Sequence, residues 1–264
     1  MTKTKRQKAG KPKRSRRNIF RSLVIAGASL MPGLGMAAPK SPLPHVATAL
    51  RSAKPSLRIV ALGSSSTKGY GASSEAAAYP AQLEGLLVKH FAGSLPVHVD
   101  NQGVGGEDID DMMKRLSAVV ADRPDLVIWQ IGSNDPIRGV PLERFDEEAR
   151  QGVAILRAAG IDVMLMEPQW CPTLDKIAGS DRFLHDVRKV GEDLGVPVIR
   201  RSDMMHEWVE KKLLDREKML SADGLHMTDA SYALLAEAVA ETIVSTIDQP
   251  ATAPALAQAD KTVR

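Results

Sequence analysis

The chain has 264 residues, of which 44% are hydrophobic and 25% are charged, a composition typical of a globular protein rather than of a disordered or fibrous one. Its formal charge of +3 conceals two regions of opposite sign, because residues 1–40 hold eleven Lys or Arg and no acid, whereas the other 24 basic and 32 acidic residues give −8. The acidic body argues against a nucleic-acid-binding surface. The single cysteine, Cys171, excludes an internal disulfide and a cysteine-rich metal site.

Residues 1–38 have the pattern of an export signal. A basic stretch leads to Ser15-Arg16-Arg17-Asn18-Ile19-Phe20, which resembles a twin-arginine signal, and an apolar segment follows over 22–38. Gly35, Ala37 and Ala38 offer the small residues of a cleavage site. The pattern predicts transport by the twin-arginine export machinery and a periplasmic or secreted location in a bacterium. The alternative is a basic cytoplasmic tail with an uncleaved anchor.

The remainder of the chain predicts a single α/β domain. Residues 39–56, rich in Pro, Ala and Ser, predict a linker. Apolar runs over 57–247 predict five strands, at 57–62, 97–101, 126–131, 161–166 and 196–199. Segments of helical periodicity alternate with them, at 79–90, 109–120, 142–159, 177–194, 202–214 and 228–247. This alternation predicts a three-layer α/β/α, flavodoxin-like fold with a five-stranded parallel sheet. Residues 248–264 lack periodicity and predict a disordered tail.

Small polar residues follow the first strand, where Gly63 is succeeded by Ser64-Ser65-Ser66. Ligands of open α/β sheets bind at the carboxyl ends of the strands, so a hydroxyl at this position would face a binding site. Further polar clusters lie at 101–106, 132–135 and 223–226. A serine becomes a good nucleophile when a histidine takes its proton and a carboxylate orients that histidine. Asp223 and His226, three residues apart in a loop with a glycine, are suited to these two roles.

These four clusters, in this order, resemble the sequence blocks of the SGNH (GDSL-type) hydrolase family, over about residues 57–247. The matching residues are Gly63-Ser64-Ser65, Asn101 with Gly106, Gly132-x-Asn134-Asp135, and Asp223-x-x-His226. The resemblance implies that Ser65 is the nucleophile, His226 the base and Asp223 its partner. It also implies an oxyanion hole made by the Ser65 and Gly106 N–H groups and the Asn134 amide.

The sequence departs from this family at Ser64, where the usual residue is aspartate. The missing carboxylate predicts a different hydrogen-bonding arrangement in the turn. A shifted turn would place the nucleophile at Ser64 or Ser66 instead.

The resemblance implies a serine hydrolase that cleaves carboxylic esters through an acyl-enzyme intermediate, without a metal or an organic cofactor. The expected partners are a small-molecule, glycan or lipid ester, with no nucleic acid. Two alternatives remain open: an O-acyltransferase acting on an envelope glycan, and a non-catalytic glycan-binding protein with the same fold. Trp170 predicts either a sugar-stacking platform or a hydrophobic lid.

Overall fold

The computed structural model describes residues 41–52, 54–91 and 95–247; the predicted export signal and the predicted tail lie outside them. A parallel sheet of five strands forms its centre. The strands are β1 (Leu57–Gly63), β2 (Val97–Gly103), β3 (Leu126–Gln130), β4 (Asp162–Met166) and β5 (Val198–Ile199). Their order in the sheet is β2-β1-β3-β4-β5, so that β1 pairs with both β2 and β3. This order is the flavodoxin-like one.

Helices connect and cover the strands. They are α1 (Pro44–Arg51), α2 (Ser65–Lys68), α3 (Tyr79–His90), α4 (Ile109–Ala121), α5 (Asp135–Arg138), α6 (Leu142–Ala158), α7 (Pro172–Asp175), α8 (Ser180–Leu194), α9 (Arg201–Glu210) and α10 (Asp229–Ile247). Two short 3₁₀ helices occupy Glu75–Ala77 and Arg216–Lys218. No helix within the described ranges is long and apolar enough to cross a membrane.

Successive side chains of each strand enter opposite layers of the core. On β1, Ile59 and Ala61 belong to the cluster formed with α1, α3, α9 and α10. Val60 and Leu62 belong to the cluster formed with α4, α6 and α8. Because both faces of the sheet are covered by helices, β1, β3 and β4 are largely apolar, whereas the edge strand β2 carries several polar side chains. The predicted three-layer fold with a parallel sheet is confirmed.

The segment 39–56 differs from the predicted linker, because it contains α1. Leu43 and Val46 are fully buried against the sheet. The carboxylate of Asp162, at the start of β4, accepts hydrogen bonds from the N–H groups of His45 (2.8 Å) and Val46 (3.0 Å). Asp162 thereby caps a helix that has no capping side chain of its own. Folded structure therefore begins before Leu57.

Candidate active site

The turn after β1 holds Ser65 at the first position of α2. A Cβ atom on Gly63 would lie 2.2 Å from Thr67 Oγ1 and 2.9 Å from Gln130 Oε1, so only glycine fits there. Ser65 is 7% exposed. Its N–H lies at the helix N-terminus, where the helix itself supplies no acceptor, so this group is available to a ligand.

A histidine and an aspartate complete a hydrogen-bonded line with this serine. His226 Nε2 lies 2.8 Å from Ser65 Oγ, and His226 Nδ1 lies 2.5 Å from Asp223 Oδ2. The other carboxylate oxygen of Asp223 accepts from the Ser221 hydroxyl at 2.8 Å and from the N–H groups of Leu225 and His226 at 2.9 Å each. Partial burial raises the pKa of Asp223, but the hydrogen bonds from His226 and its neighbours outweigh this effect and hold it well below the usual value. Asp223 is therefore a carboxylate when His226 is the neutral base.

The loop after α2 packs against His226. The rings of Tyr70 and His226 are 5.5 Å apart. Gly71 has a positive φ of 85°, and a Cβ atom there would lie 2.4 Å from the Met227 carbonyl oxygen. The Tyr232 hydroxyl of α10 donates to the Tyr70 carbonyl at 2.7 Å. These contacts hold the segment after Ser65 against the segment of His226, although the two residues are 161 positions apart in the sequence.

The predicted oxyanion donors lie on the segments after β2 and β3. Gly106 has a φ of 81°, a conformation that favours glycine. Asn134 donates one amide hydrogen to the Glu107 carbonyl oxygen at 2.8 Å, which leaves the second amide hydrogen for a ligand. Arg138 of α5 donates to the Gly106 carbonyl oxygen at 3.0 Å. The segments of the two predicted donors are thus connected, because Asn134 and Arg138 of one segment donate to the Glu107 and Gly106 carbonyl oxygens of the other.

The Asp135 side chain is buried and binds backbone groups, so it is not accessible to a substrate. Its carboxylate is 1% exposed and accepts from the N–H groups of Ile109 (2.9 Å) and Gly132 (3.0 Å). Burial raises the pKa of Asp135 to about 6. It joins the start of α4 to the turn that carries Asn134.

The place of the usual aspartate is taken by a buried serine bound to a glutamine. Gln130 Oε1 accepts from the N–H and the hydroxyl of Ser64, each at 3.0 Å, and from the Thr67 hydroxyl at 3.2 Å. Because the Ser64 hydroxyl points into this buried contact, Ser65 is the serine of the turn that meets His226. Sequence reasoning missed Gln130, although its signal was present: it is the single polar residue in the apolar run 126–131.

Trp170 and Cys171 differ from the rest of the site. The Arg216 guanidinium lies 3.7 Å above the Trp170 ring, and the His206 ring stacks on it at 3.7 Å. Arg216 and His206 therefore already occupy stacking surface of the indole, which disfavours Trp170 as a sugar-stacking platform. Cys171 is buried, and burial raises the pKa of its thiol, which disfavours the reactive thiolate.

A model of the Non-GDSL lipase-like family matches residues 34–249 of the chain. An arylesterase from Vibrio mimicus is 27% identical over 188 residues, which cover 71% of this chain and 88% of the relative. A lipase/acylhydrolase from Enterococcus faecalis has a similar structure, with a TM-score of 0.61, 24% identity, and coverage of 75% of this chain and all of the other.

An acetyl xylan esterase from Geobacillus stearothermophilus, solved as a point variant, is similar with a TM-score of 0.60 and 22% identity, over 72% of this chain and 95% of the other. The fold, the motif order and the family match lead to one conclusion: the chain belongs to the Non-GDSL lipase-like family and is a carboxylic ester hydrolase with an SGNH-type fold.

Proposed function

We propose that the chain hydrolyses carboxylic esters through a Ser65–His226–Asp223 catalytic triad and an acyl-enzyme intermediate. The observation that carries this proposal is the line of two hydrogen bonds, 2.8 Å from Ser65 Oγ to His226 Nε2 and 2.5 Å from His226 Nδ1 to Asp223. These distances are within reach for proton transfer and for orientation of the imidazole.

In the proposed mechanism, Ser65 Oγ attacks the ester carbonyl carbon while His226 Nε2 takes the hydroxyl proton. The charge on the carbonyl oxygen is stabilised by the N–H groups of Ser65 and Gly106 and by the Asn134 amide. Collapse of the tetrahedral intermediate breaks the bond to the alcohol, which leaves with the proton from His226. A water molecule then gives its proton to His226, attacks the acyl group and releases the acid, and Ser65 regains its proton.

Three exposed apolar side chains support a substrate with an apolar part. Of the six large apolar side chains that are exposed in the described ranges, Tyr70, Val104 and Ile137 lie on the segments that follow β1, β2 and β3. These same segments carry Ser65, Gly106 and Asn134. We propose that the three side chains contact the aryl or acyl part of the ester, which suits aryl and short acyl esters, in keeping with the names of the arylesterase and acetyl xylan esterase relatives.

We also propose that the enzyme acts outside the cytoplasm, after transport by the twin-arginine machinery. The basis is the Ser15-Arg16-Arg17 pattern and the apolar segment that follows it. An ester of an envelope glycan or lipid would then be within its reach.

The test measures hydrolysis of p-nitrophenyl esters from acetyl to long acyl chains by the full chain, Ser65→Ala and Ser66→Ala. Ser66 is a matched control, because it is the adjacent buried serine in the same short helix. We expect Ser65→Ala to lose turnover and fluorophosphonate labelling, while Ser66→Ala keeps both. Turnover by Ser65→Ala at the wild-type rate would refute the proposed triad. Turnover that requires an added alcohol or sugar would identify an acyltransferase instead.

A further inference from the structure

A continuous chain of hydrogen bonds, made by three buried polar side chains, runs from the turn of Ser65 to the loop of His226. It begins at Gln130, whose Oε1 binds Ser64 and Thr67 on either side of the nucleophile. Gln130 Nε2 donates to the Ser133 hydroxyl at 3.1 Å, and that hydroxyl donates to Gln169 Oε1 at 3.1 Å.

This chain of hydrogen bonds ends at Leu225, one residue before His226. Gln169 Nε2 donates to the Leu225 carbonyl oxygen at 3.3 Å. Gln130, Ser133 and Gln169 are each 3% exposed or less, so the bonds among these three side chains are shielded from water, whereas the bond to Leu225 is partly buried. Ser133 in turn precedes Asn134, so all three segments of the site rest on one set of buried polar groups.

Arg201 sets the direction of every bond in this chain. It is fully buried, and its guanidinium donates to Gln169 Oε1 at 2.6 Å, to the Glu167 carbonyl at 3.1 Å and to Ser133 at 3.4 Å. An arginine can only donate, so the oxygen of Gln169 faces Arg201 and its NH₂ group faces Leu225. Ser133 then donates to Gln169 and accepts from Gln130, which turns the oxygen of Gln130 towards the donors beside Ser65.

We propose that Gln130 and Gln169 are positioning residues, which through Ser133 and Arg201 set the turn of Ser65 and the loop of His226 in one common frame. The proposal rests on the proposed function, because it assigns these glutamines to the alignment of Ser65 and His226. If these buried polar groups only satisfied one another, the chain of hydrogen bonds would not need to end beside both Ser65 and His226. A displacement of about 1 Å between reacting groups costs about a hundredfold in rate.

The experiment compares Gln169→Glu with a matched control, Gln82→Glu. Glutamate at 169 keeps acceptors for Arg201 and Ser133 but cannot donate to the Leu225 carbonyl. Gln82 of α3 also donates to a backbone carbonyl, that of Ala77 at 2.6 Å. It takes no part in the hydrogen bonds between the Ser65 turn and the His226 loop. Each kcat is expressed per Ser65 that is labelled by a fluorophosphonate at completion, so that unfolded protein is not counted.

We expect kcat of Gln169→Glu on p-nitrophenyl acetate to fall about 10- to 100-fold with little change in KM, and kcat of Gln82→Glu to stay at the wild-type value. If Gln169→Glu does not fold, Ser133→Ala replaces it, because it breaks the link between the two glutamines and leaves Arg201 bound to Gln169. A wild-type kcat per labelled site in the folded variant, or an equal loss in Gln82→Glu, would overturn the proposal. Failure of the triad is a separate result, since it would appear as retained activity in Ser65→Ala.

Discussion

At the scale of single residues, the proposed role of Asn134 depends on the two hydrogens of its amide group. Its amide donates to the Glu107 carbonyl oxygen, which fixes the side chain before any substrate binds. In the proposed mechanism, the second amide hydrogen needs no reorganisation to meet the charge that develops on the ester oxygen. Donors fixed in advance are the most effective form of electrostatic stabilisation in acyl transfer.

Replacing Asn134 by alanine should therefore lower kcat by about 10²–10³, equivalent to about 2.7–4 kcal/mol of transition-state stabilisation. The ground-state ester gains little from this donor, so KM should change less than kcat. Steady-state kinetics with p-nitrophenyl acetate measure both constants. An unchanged kcat would remove Asn134 from the oxyanion hole.

At the scale of elements, the contact between α6 and α8 contains an unfavourable charge. Burial raises the pKa of Asp186 on α8 to about 6, helped by Asp146 on α6 and opposed by Arg150. One carboxylate oxygen of Asp186 is buried without a hydrogen-bond partner among the described residues. The folded state therefore binds a proton more tightly than the unfolded state does.

Asp186→Asn should stabilise the protein at pH 8. Because the folded pKa of Asp186 exceeds the ordinary value of about 3.9, wild-type stability falls as the pH rises from about 4 to 6. After a discount for solvent screening, removal of the charge is worth about 1 kcal/mol, or about 2–4 °C in Tm. Thermal melts at pH 8 and pH 4 measure the effect, which should vanish at the lower pH. Asp181→Asn, on the exposed first turn of α8, is the control that should bring no gain.

The first helix is the element that the sequence-based boundaries omit. Leu43 and Val46 bury against the sheet, and Asp162 caps the helix from β4. A chain that begins at Leu57 should therefore melt at a lower temperature than one that begins at Ser41, since each fully buried side chain of this size contributes about 1.5–3 kcal/mol. An equal Tm for the two chains, measured by calorimetry, would show that α1 contributes nothing to the stability of the domain.

At the scale of the whole molecule, alternating apolar runs and helical periodicity were sufficient to predict five strands, the parallel sheet and the covering helices other than α1. The region 39–56 was misread because its prolines and small residues suggested a linker. The relevant signal was Pro44 at a helix start, followed by apolar residues with helical spacing.

The buried glutamines were harder to predict. Gln130 is marked only as a polar residue within an apolar run, and Gln169 lies in the loop after β4, where the sequence does not distinguish a buried side chain from an exposed one. Arg201 is harder still, because arginines are almost always exposed unless paired. Its burial depends on acceptors supplied by Ser133, Glu167 and Gln169, which come together only in the folded chain.

The proposed location can be tested on the whole protein. Replacing Arg16 and Arg17 together by lysine keeps the charge but removes the paired arginines of the signal, so the protein should remain in the cytoplasm. Fractionation of bacterial cells followed by immunoblotting measures the distribution. Export of the double variant at the wild-type level would contradict a twin-arginine route.

Ser64 has a consequence for the behaviour of the enzyme in acid. Residues 63–67 are Gly, Ser, Ser, Ser and Thr, and the side chain that holds them is the neutral amide of Gln130. An aspartate at position 64 would place a titratable group beside the nucleophile, whereas this turn has none. The hydrogen bonds that hold this turn therefore do not depend on the pH. Enzyme returned from acid to neutral pH should regain activity without a slow phase for rebuilding this turn.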